Sequence, residues 1–146
     1  MRIPRLIAAL VLTATLGTLP AGPSPAGGCL EVVVTGARND RGVIRAALFQ
    51  GSEGFPGKDE QAIGRLVAPA STGPVTFLFK DIPPGEYAVA ILHDEDNNGK
   101  MRSNWLGMPR EGYGTSNNPE GRPKFKKSRF EMTTQTLRLE IRLVYR

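Results

Sequence analysis

Val75-Thr76-Phe77-Leu78-Phe79-Lys80-Asp81-Ile82-Pro83-Pro84-Gly85-Glu86-Tyr87-Ala88-Val89-Ala90-Ile91-Leu92-His93 is the stretch on which the fold turns. Val75, Phe77 and Phe79 recur with a period of two, which puts them on one face of a half-buried strand. Proline cannot donate to a sheet ladder, so Pro83-Pro84-Gly85 ends that strand and turns the chain. Glu86–His93 is then a second strand and contains the most strand-like run of the chain, Tyr87–Leu92.

Toward the N-terminus, Leu30–Gly36 alternates with Leu30, Val32 and Val34 inward. Arg38–Gly42 has turn composition, and Val43–Phe49 reads as the return strand with Ile44, Ala46 and Leu48 inward. Gln50–Gly57 is a loop in which Phe55-Pro56 is expected to plug one end of the core. Gln61–Ala70 reads two ways: Ala62, Leu66 and Val67 suit a short helix, and Arg65–Ala68 suits a strand, which is the preferred reading. Toward the C-terminus, Arg129–Thr133 and Thr136–Tyr145 are strands; Leu137, Leu139, Ile141 and Leu143 alternate with Arg138, Glu140 and Arg142, as in an antiparallel strand with one wet face. Seven short strands, no long helix and frequent Gly/Pro turns predict an all-β chain, an antiparallel β-sandwich of about seven strands with an immunoglobulin- or transthyretin-like shape.

The segment from Asp94 to Lys126 is longer than structureless loops in compact domains usually are. It opens with Asp94-Glu95-Asp96-Asn97-Asn98-Gly99, the D-x-D-x-N-G start of a calcium loop, in which alternate oxygens converge on a hard cation and glycine permits the sharp turn. The expected metal ligands are Asp94, Asp96, Asn98 and the carbonyl of Lys100. Two positions depart from that pattern: the ninth is Arg102, and the twelfth is Trp105 where a helical version carries a bidentate Glu. Asn-Asn-Gly and the Asp side chains equally suit a plain polar turn leaving the strand; an ion held there would be calcium, bound weakly, with a dissociation constant of about 10⁻⁴–10⁻³ M. The rest of the segment, with Trp105, Tyr113 and Phe125, is expected to fold back as a long ordered Ω-type loop. Trp105, Tyr113, Ser116, Asn117, Asn118 and His93 are the candidate ligand-binding residues.

The extreme N-terminus has export chemistry. Arg2 and Arg5 precede an apolar run from Leu6 to Leu19, and Ser24-Pro25-Ala26 fits a small-x-small cleavage site. Residues 1–26 read as a signal peptide and 27–146 as one domain in the periplasm or outside the cell; the run is shorter than the ~20 residues that span a bilayer, so no span is expected after processing. Cys29 is the single cysteine, which excludes an intramolecular disulfide. Ala26-Gly27-Gly28-Cys29 loosely resembles a lipobox, but the apolar core stops ten residues earlier, so a free thiol fits better than a lipid anchor. Charge is uneven: residues 27–118 carry nine Lys/Arg against eleven Asp/Glu, and residues 119–146 carry eight against three. No helix-turn-helix or base-stacking signature accompanies the basic end, so nucleic acid is not an expected partner; a cell-envelope ligand or protein is.

Tyr87–His93, Asp94–Gly99, Leu106-Gly107-Met108-Pro109, Glu111-Gly112-Tyr113-Gly114 and Ser116-Asn117-Asn118 together resemble the secreted bacterial domain-of-unknown-function family numbered 2141, over Leu30–Tyr145. The family pattern reads His-Asp-Glu-Asn-x-Asn-Gly-Lys-Leu-Asp; Asp96 stands where Asn is common and Arg102 where Asp is common, and the second departure bears on any family metal site. The resemblance implies an exported β-sandwich and no particular activity. Ile82–Tyr87 also resembles the turn of transthyretin-like and carboxypeptidase-regulatory domains, which speaks to fold alone.

The sequence thus favours a non-catalytic cell-envelope module whose 94–118 segment is the binding loop. Two other readings accompany it: a small exported enzyme using His93 with loop carboxylates, and a carbohydrate-binding module stacking sugars on Trp105 and Tyr113. The first needs a nucleophile, a base and an orienting group within hydrogen-bond reach, and a lone histidine cannot build an ordinary zinc site.

Overall fold

A computed structural model describes residues 22, 27–100 and 110–146. The chain is all-β, with eight strands in two layers. β1 (Gly28–Thr35), β4 (Val75–Ile82) and β8 (Thr136–Arg142) form one sheet in the order β4-β1-β8. β2 (Val43–Phe49), β3 (Gly64–Pro69), β5 (Gly85–Asp94) and β6 (Gly112–Thr115) form the other in the order β3-β2-β5-β6, and β7 (Phe130–Met132) pairs with the start of β5. The one α-helix among the described residues, α1, is the single turn Phe125–Ser128.

Period-two patterning accounts for the interior. Leu30, Val32 and Val34 of β1 face Ile44, Ala46 and Leu48 of β2, with Phe77 and Phe79 of β4, Tyr87, Val89 and Ile91 of β5, and Ile141 and Leu143 in one cluster. Among the described residues Tyr87 is the largest fully buried side chain, and its hydroxyl donates to the Pro83 carbonyl at 2.8 Å. The ring thereby fills the core while its one polar atom ties down the turn that precedes it. Truncating a core side chain such as Leu30 to Ala would cost about 2–5 kcal/mol.

Three pairings differ from the expectation. β1 and β2 are not partners across a hairpin; they lie in opposite sheets, as do β4 and β5, so both turns cross the sandwich. β8 runs parallel to β1, with Val32 beside Leu139 and Val34 beside Ile141. Side-chain alternation fixes which face is buried and is silent on strand direction. The long segment is not a plain loop either, because Gly112–Thr115 adds a strand to the β5 edge.

Phe55 also packs elsewhere than expected. It meets Phe49 edge-on at 5.4 Å and sits with Ala47, Ala90 and Ala62 on the outer face of the second sheet, not at the end of the main core. That cover explains why β5 is buried on both faces. Among the described residues no helix is long and apolar enough to cross a membrane.

Candidate functional site

His93 and Asp94 close β5, at the end where the β1–β2 turn, the 94–100 turn and the C-terminus meet. Antiparallel pairing of β5 with β6 sets His93 opposite Gly112, which brings Glu111 beside Asp94. Carboxylate oxygens of Asp94, Asp96 and Glu111 lie within 4.8 Å of one another. Asp94 and Glu111 are buried and Asp96 is exposed, so the cluster opens outward through Asp96.

The turn is wound around Asp94. Its Oδ1 accepts the Asn98 N–H at 3.0 Å, and its Oδ2 accepts the Gly99 N–H and the Arg45 Nε–H, both at 2.7 Å. Asp96 accepts the Asn98 side-chain amide at 3.2 Å, and the Asn98 oxygen accepts the Lys100 N–H at 2.8 Å. Asn97 and Gly99 both have positive φ, the conformation for which Asn and Gly suit this turn. Burial works against the Asp94 carboxylate, but Arg45 and then the Gly99 and Asn98 N–H groups outweigh it and hold the carboxyl below its ordinary range.

A second clamp fixes Glu95. Arg38 donates to it through two nitrogens at 2.8 and 2.6 Å, and Asn39 adds a third bond at 2.7 Å. The Arg38 guanidinium, opposed by burial and aided by Asn39, pulls the Glu95 carboxyl down to about 2. The Glu95 N–H in turn donates to Glu111 at 3.1 Å. Arg38 also lies over the Tyr145 ring, 4.7 Å from its centroid.

His93 is fully buried, and both ring nitrogens are engaged. Nε2 stands 2.8 Å from the Arg41 carbonyl, which can only accept, so the proton belongs on Nε2. Nδ1 then accepts from the Tyr145 hydroxyl at 2.6 Å, and that oxygen accepts the Arg38 N–H at 3.1 Å. Two glycines permit this crowding. A Cβ on Gly112 would overlap the Tyr145 ring, and one on Gly42, whose φ is +69°, would overlap the Asp94 carbonyl.

Of the expected metal residues, the structure groups Asp94, Asp96 and Asn98 in one turn, with Lys100 at its end. Glu111 joins them from β6, a residue that loop spacing alone does not point to. Arg38, Asn39, Arg45 and Tyr145 also belong to the site. Arg45 is an outward residue of an otherwise apolar strand, and only the β2–β5 register brings it to Asp94.

Of the expected ligand-binding residues, His93 stands beside this cluster, whereas Ser116, Asn117 and Asn118 separate from it. Ser116, Asn117 and Asn118 follow the far end of β6, about five residues or 16 Å of extended chain from Glu111. Ser116 is buried; its oxygen accepts the Val89 N–H at 3.0 Å and donates to the Ser128 carbonyl. Asn117 donates to the Arg129 carbonyl at 2.8 Å, and Asn118 donates to the Glu140 carbonyl at 2.9 Å while accepting the Arg142 N–H. These side chains fasten the segment to the sandwich. Tyr113 is half-buried and lines a groove of about 310 Å³ with Pro119, Pro123, Arg142 and Val144. Trp105 and Arg102 lie outside the described residues, as does the expected signal peptide, residues 1–26, apart from Gly22. Cys29 is half-buried inside β1, its N–H donating to the Gln135 carbonyl at 3.3 Å.

Comparison with curated proteins returns no match, and comparison with solved structures returns none. A bacterial family described as "Uncharacterized protein conserved in bacteria (DUF2141)" matches residues 32–140, from the middle of β1 to β8 and across the whole carboxylate turn. That match covers well over half of the chain, which belongs to the DUF2141 family.

Proposed function

We propose that this protein is an exported, non-catalytic module of the bacterial cell envelope, whose 94–118 segment presents a binding face stiffened by a weakly held calcium ion. The observation that carries the ion is the convergence of Asp94, Asp96 and Glu111 within 4.8 Å. Two oxygens bound to one calcium at 2.3–2.6 Å lie at most about 5 Å apart, so the three carboxylates are spaced within reach of a common ion. Glu111 takes the part that a twelfth-position Glu plays in a helical loop, and Asn98 and the Lys100 carbonyl complete the oxygen set. Arg45 already offsets part of the Asp94 charge, and Arg102 stands at the ninth loop position; both favour affinity of about 10⁻⁴–10⁻³ M over tighter binding.

Export is supported by the leader and by where the fold starts. Gly28 pairs with Ile82, and a Cβ on either Gly27 or Gly28 would overlap neighbouring backbone. Cleavage after Ala26 leaves both glycines in place, whereas processing at Cys29 removes them; N-terminal sequencing of the envelope fraction is expected to begin at Gly27. The burial of His93 and the engagement of both its nitrogens weigh against a histidine-based enzyme. Calcium titration by calorimetry tests the ion directly. Heat of binding in the native protein, lost in Glu111→Gln and enhanced in Arg102→Asp, is the expected result; no heat in either the native protein or Arg102→Asp overturns the reading.

A further inference from the structure

Arg122, Lys124, Lys126, Lys127 and Arg129 fall within eight residues, and no acidic residue stands between Glu120 and Glu131. All five are exposed. Arg129 has an ion pair, with the exposed Glu86 at 3.2 Å; among the described residues no ion pair accompanies the other four.

This segment is held in one shape. The Lys127 and Ser128 N–H groups donate to the Lys124 carbonyl at 3.0 and 3.1 Å, and the Arg129 N–H donates to the Phe125 carbonyl at 2.8 Å. Asn117 bonds the Lys127 and Arg129 carbonyls, the Ser128 hydroxyl donates to Thr115 at 3.0 Å, and Ser116 bonds the Ser128 carbonyl. Phe125 packs edge-on against Phe55 at 5.9 Å. The apolar and hydrogen-bonding groups of the turn thus face the sandwich, and its cations face solvent. Lys124 and Lys127, three apart along the turn, repel each other, a local cost with no compensating ion pair among the described residues.

We propose that the 122–129 turn is an electrostatic docking surface for a bilayer rich in anionic phospholipid. Clusters of four to eight Lys and Arg bind such surfaces through charge alone, each cation close to the headgroups strengthening binding about fivefold. Recognition of this kind needs no groove and no shaped pocket. Proteins that grip nucleic acid present a helix or ribbon to a groove, or an exposed aromatic platform to bases. Here the one α-helix among the described residues is this four-residue turn, and the Phe125 ring is turned onto Phe55. The role also gives Ser116 and Asn117 a purpose: they position the cationic turn.

Co-sedimentation of the whole chain with phosphatidylglycerol-containing vesicles, and with pure phosphatidylcholine vesicles, tests this. The triple variant Lys124→Glu, Lys126→Glu and Lys127→Glu is compared with the native protein, so that any contribution of the apolar N-terminus is common to both. The expected result is at least a 100-fold weaker partition of the variant onto anionic vesicles, no difference on neutral ones, and loss of the native advantage in high salt. Should the charge-reversed protein fail to fold, the corresponding Lys→Gln triple decides, with a smaller loss in the same direction. Equal binding of native and variant proteins to anionic vesicles overturns the proposal. So does native binding to heparin or duplex DNA as tight as to the vesicles, which would make the turn a general polyanion site.

Discussion

Replacing Arg38 with Met should make the protein less stable at neutral pH and remove much of its sensitivity to acid. Glu95 titrates near 2 in the folded chain against an ordinary value of 4.5. Its folded value is the lower one, so the stability it contributes is fully present above about 4.5 and is lost as pH falls through about 2. At about 1.36 kcal/mol per pH unit the difference sets a ceiling of roughly 3 kcal/mol. Arg38 is 48% exposed while Glu95 is 11% exposed, and solvent screening on the arginine side brings the expected loss to about 1–2 kcal/mol. Without Arg38, the burial of Glu95 opposes its charge, and Asn39 is the side-chain hydrogen bond left to favour it. Urea unfolding at a series of pH values from 7 to 2 reads both effects. The native protein should lose stability steeply between pH 4.5 and 2, with Asp94, also held low, adding to the slope; Arg38→Met should start lower at pH 7 and fall less. Parallel curves for the two proteins would refute the assignment of Glu95 to the Arg38 clamp.

Tyr145→Phe removes the donor to His93 Nδ1 and leaves a buried acceptor unsatisfied, a loss of about 1–3 kcal/mol that thermal unfolding should read as a midpoint lower by roughly 5–10 °C. Ser116→Ala strands the buried Val89 N–H and should cost a similar amount, whereas Lys100→Ala, on the exposed turn, should stay within about 0.5 kcal/mol in the same denaturation assay. Gly112→Ala sets a methyl group into the Tyr145 ring and should destabilise by about 1–3 kcal/mol; combining it with Tyr145→Ala, which opens the space, should recover part of that loss in a double-mutant cycle.

The strands and their buried faces were legible because a strand with one wet side repeats every two residues. Leu30/Val32/Val34, Ile44/Ala46/Leu48 and Phe77/Phe79 all went to the interior as the alternation required. Partner choice was not legible, since alternation says nothing about which strand lies alongside. The parallel contact of β1 with β8 joins the two ends of the domain, and no turn chemistry announces it. β6 escaped because Gly112-Tyr113-Gly114-Thr115 reads as a loop: glycine is depleted in strands. Here the glycines answer to close neighbours, the Tyr145 ring at Gly112 and the Arg142 backbone with the Ile141 side chain at Gly114.

The same division runs through the site. Asp94, Asp96 and Asn98 share one turn, and their spacing was enough to group them. Glu111 reaches them through the β5–β6 register, and Arg45 through the β2–β5 register, so both wait on a topology that the sequence leaves open. Ser116, Asn117 and Asn118 look like a polar binding patch in sequence, yet their hydrogen bonds go to backbone groups that close the sandwich edge.

Thermal unfolding with excess calcium and then with chelator, in the native protein and in Glu111→Gln, tests the carboxylate turn as an ion site most directly. The glutamine retains one oxygen that can accept the Glu95 N–H while it removes the carboxylate charge. Calcium at about 100 times its dissociation constant adds about 2.7 kcal/mol to the folded state, which raises the midpoint of a domain this size by roughly 10 °C. The account predicts that rise in the native protein, its reversal by chelator and its absence in Glu111→Gln. A native midpoint indifferent to calcium at that excess, about 10–100 mM for the affinity proposed, would contradict it and leave Asp94, Asp96 and Glu111 as the structural centre of a turn held by Arg45.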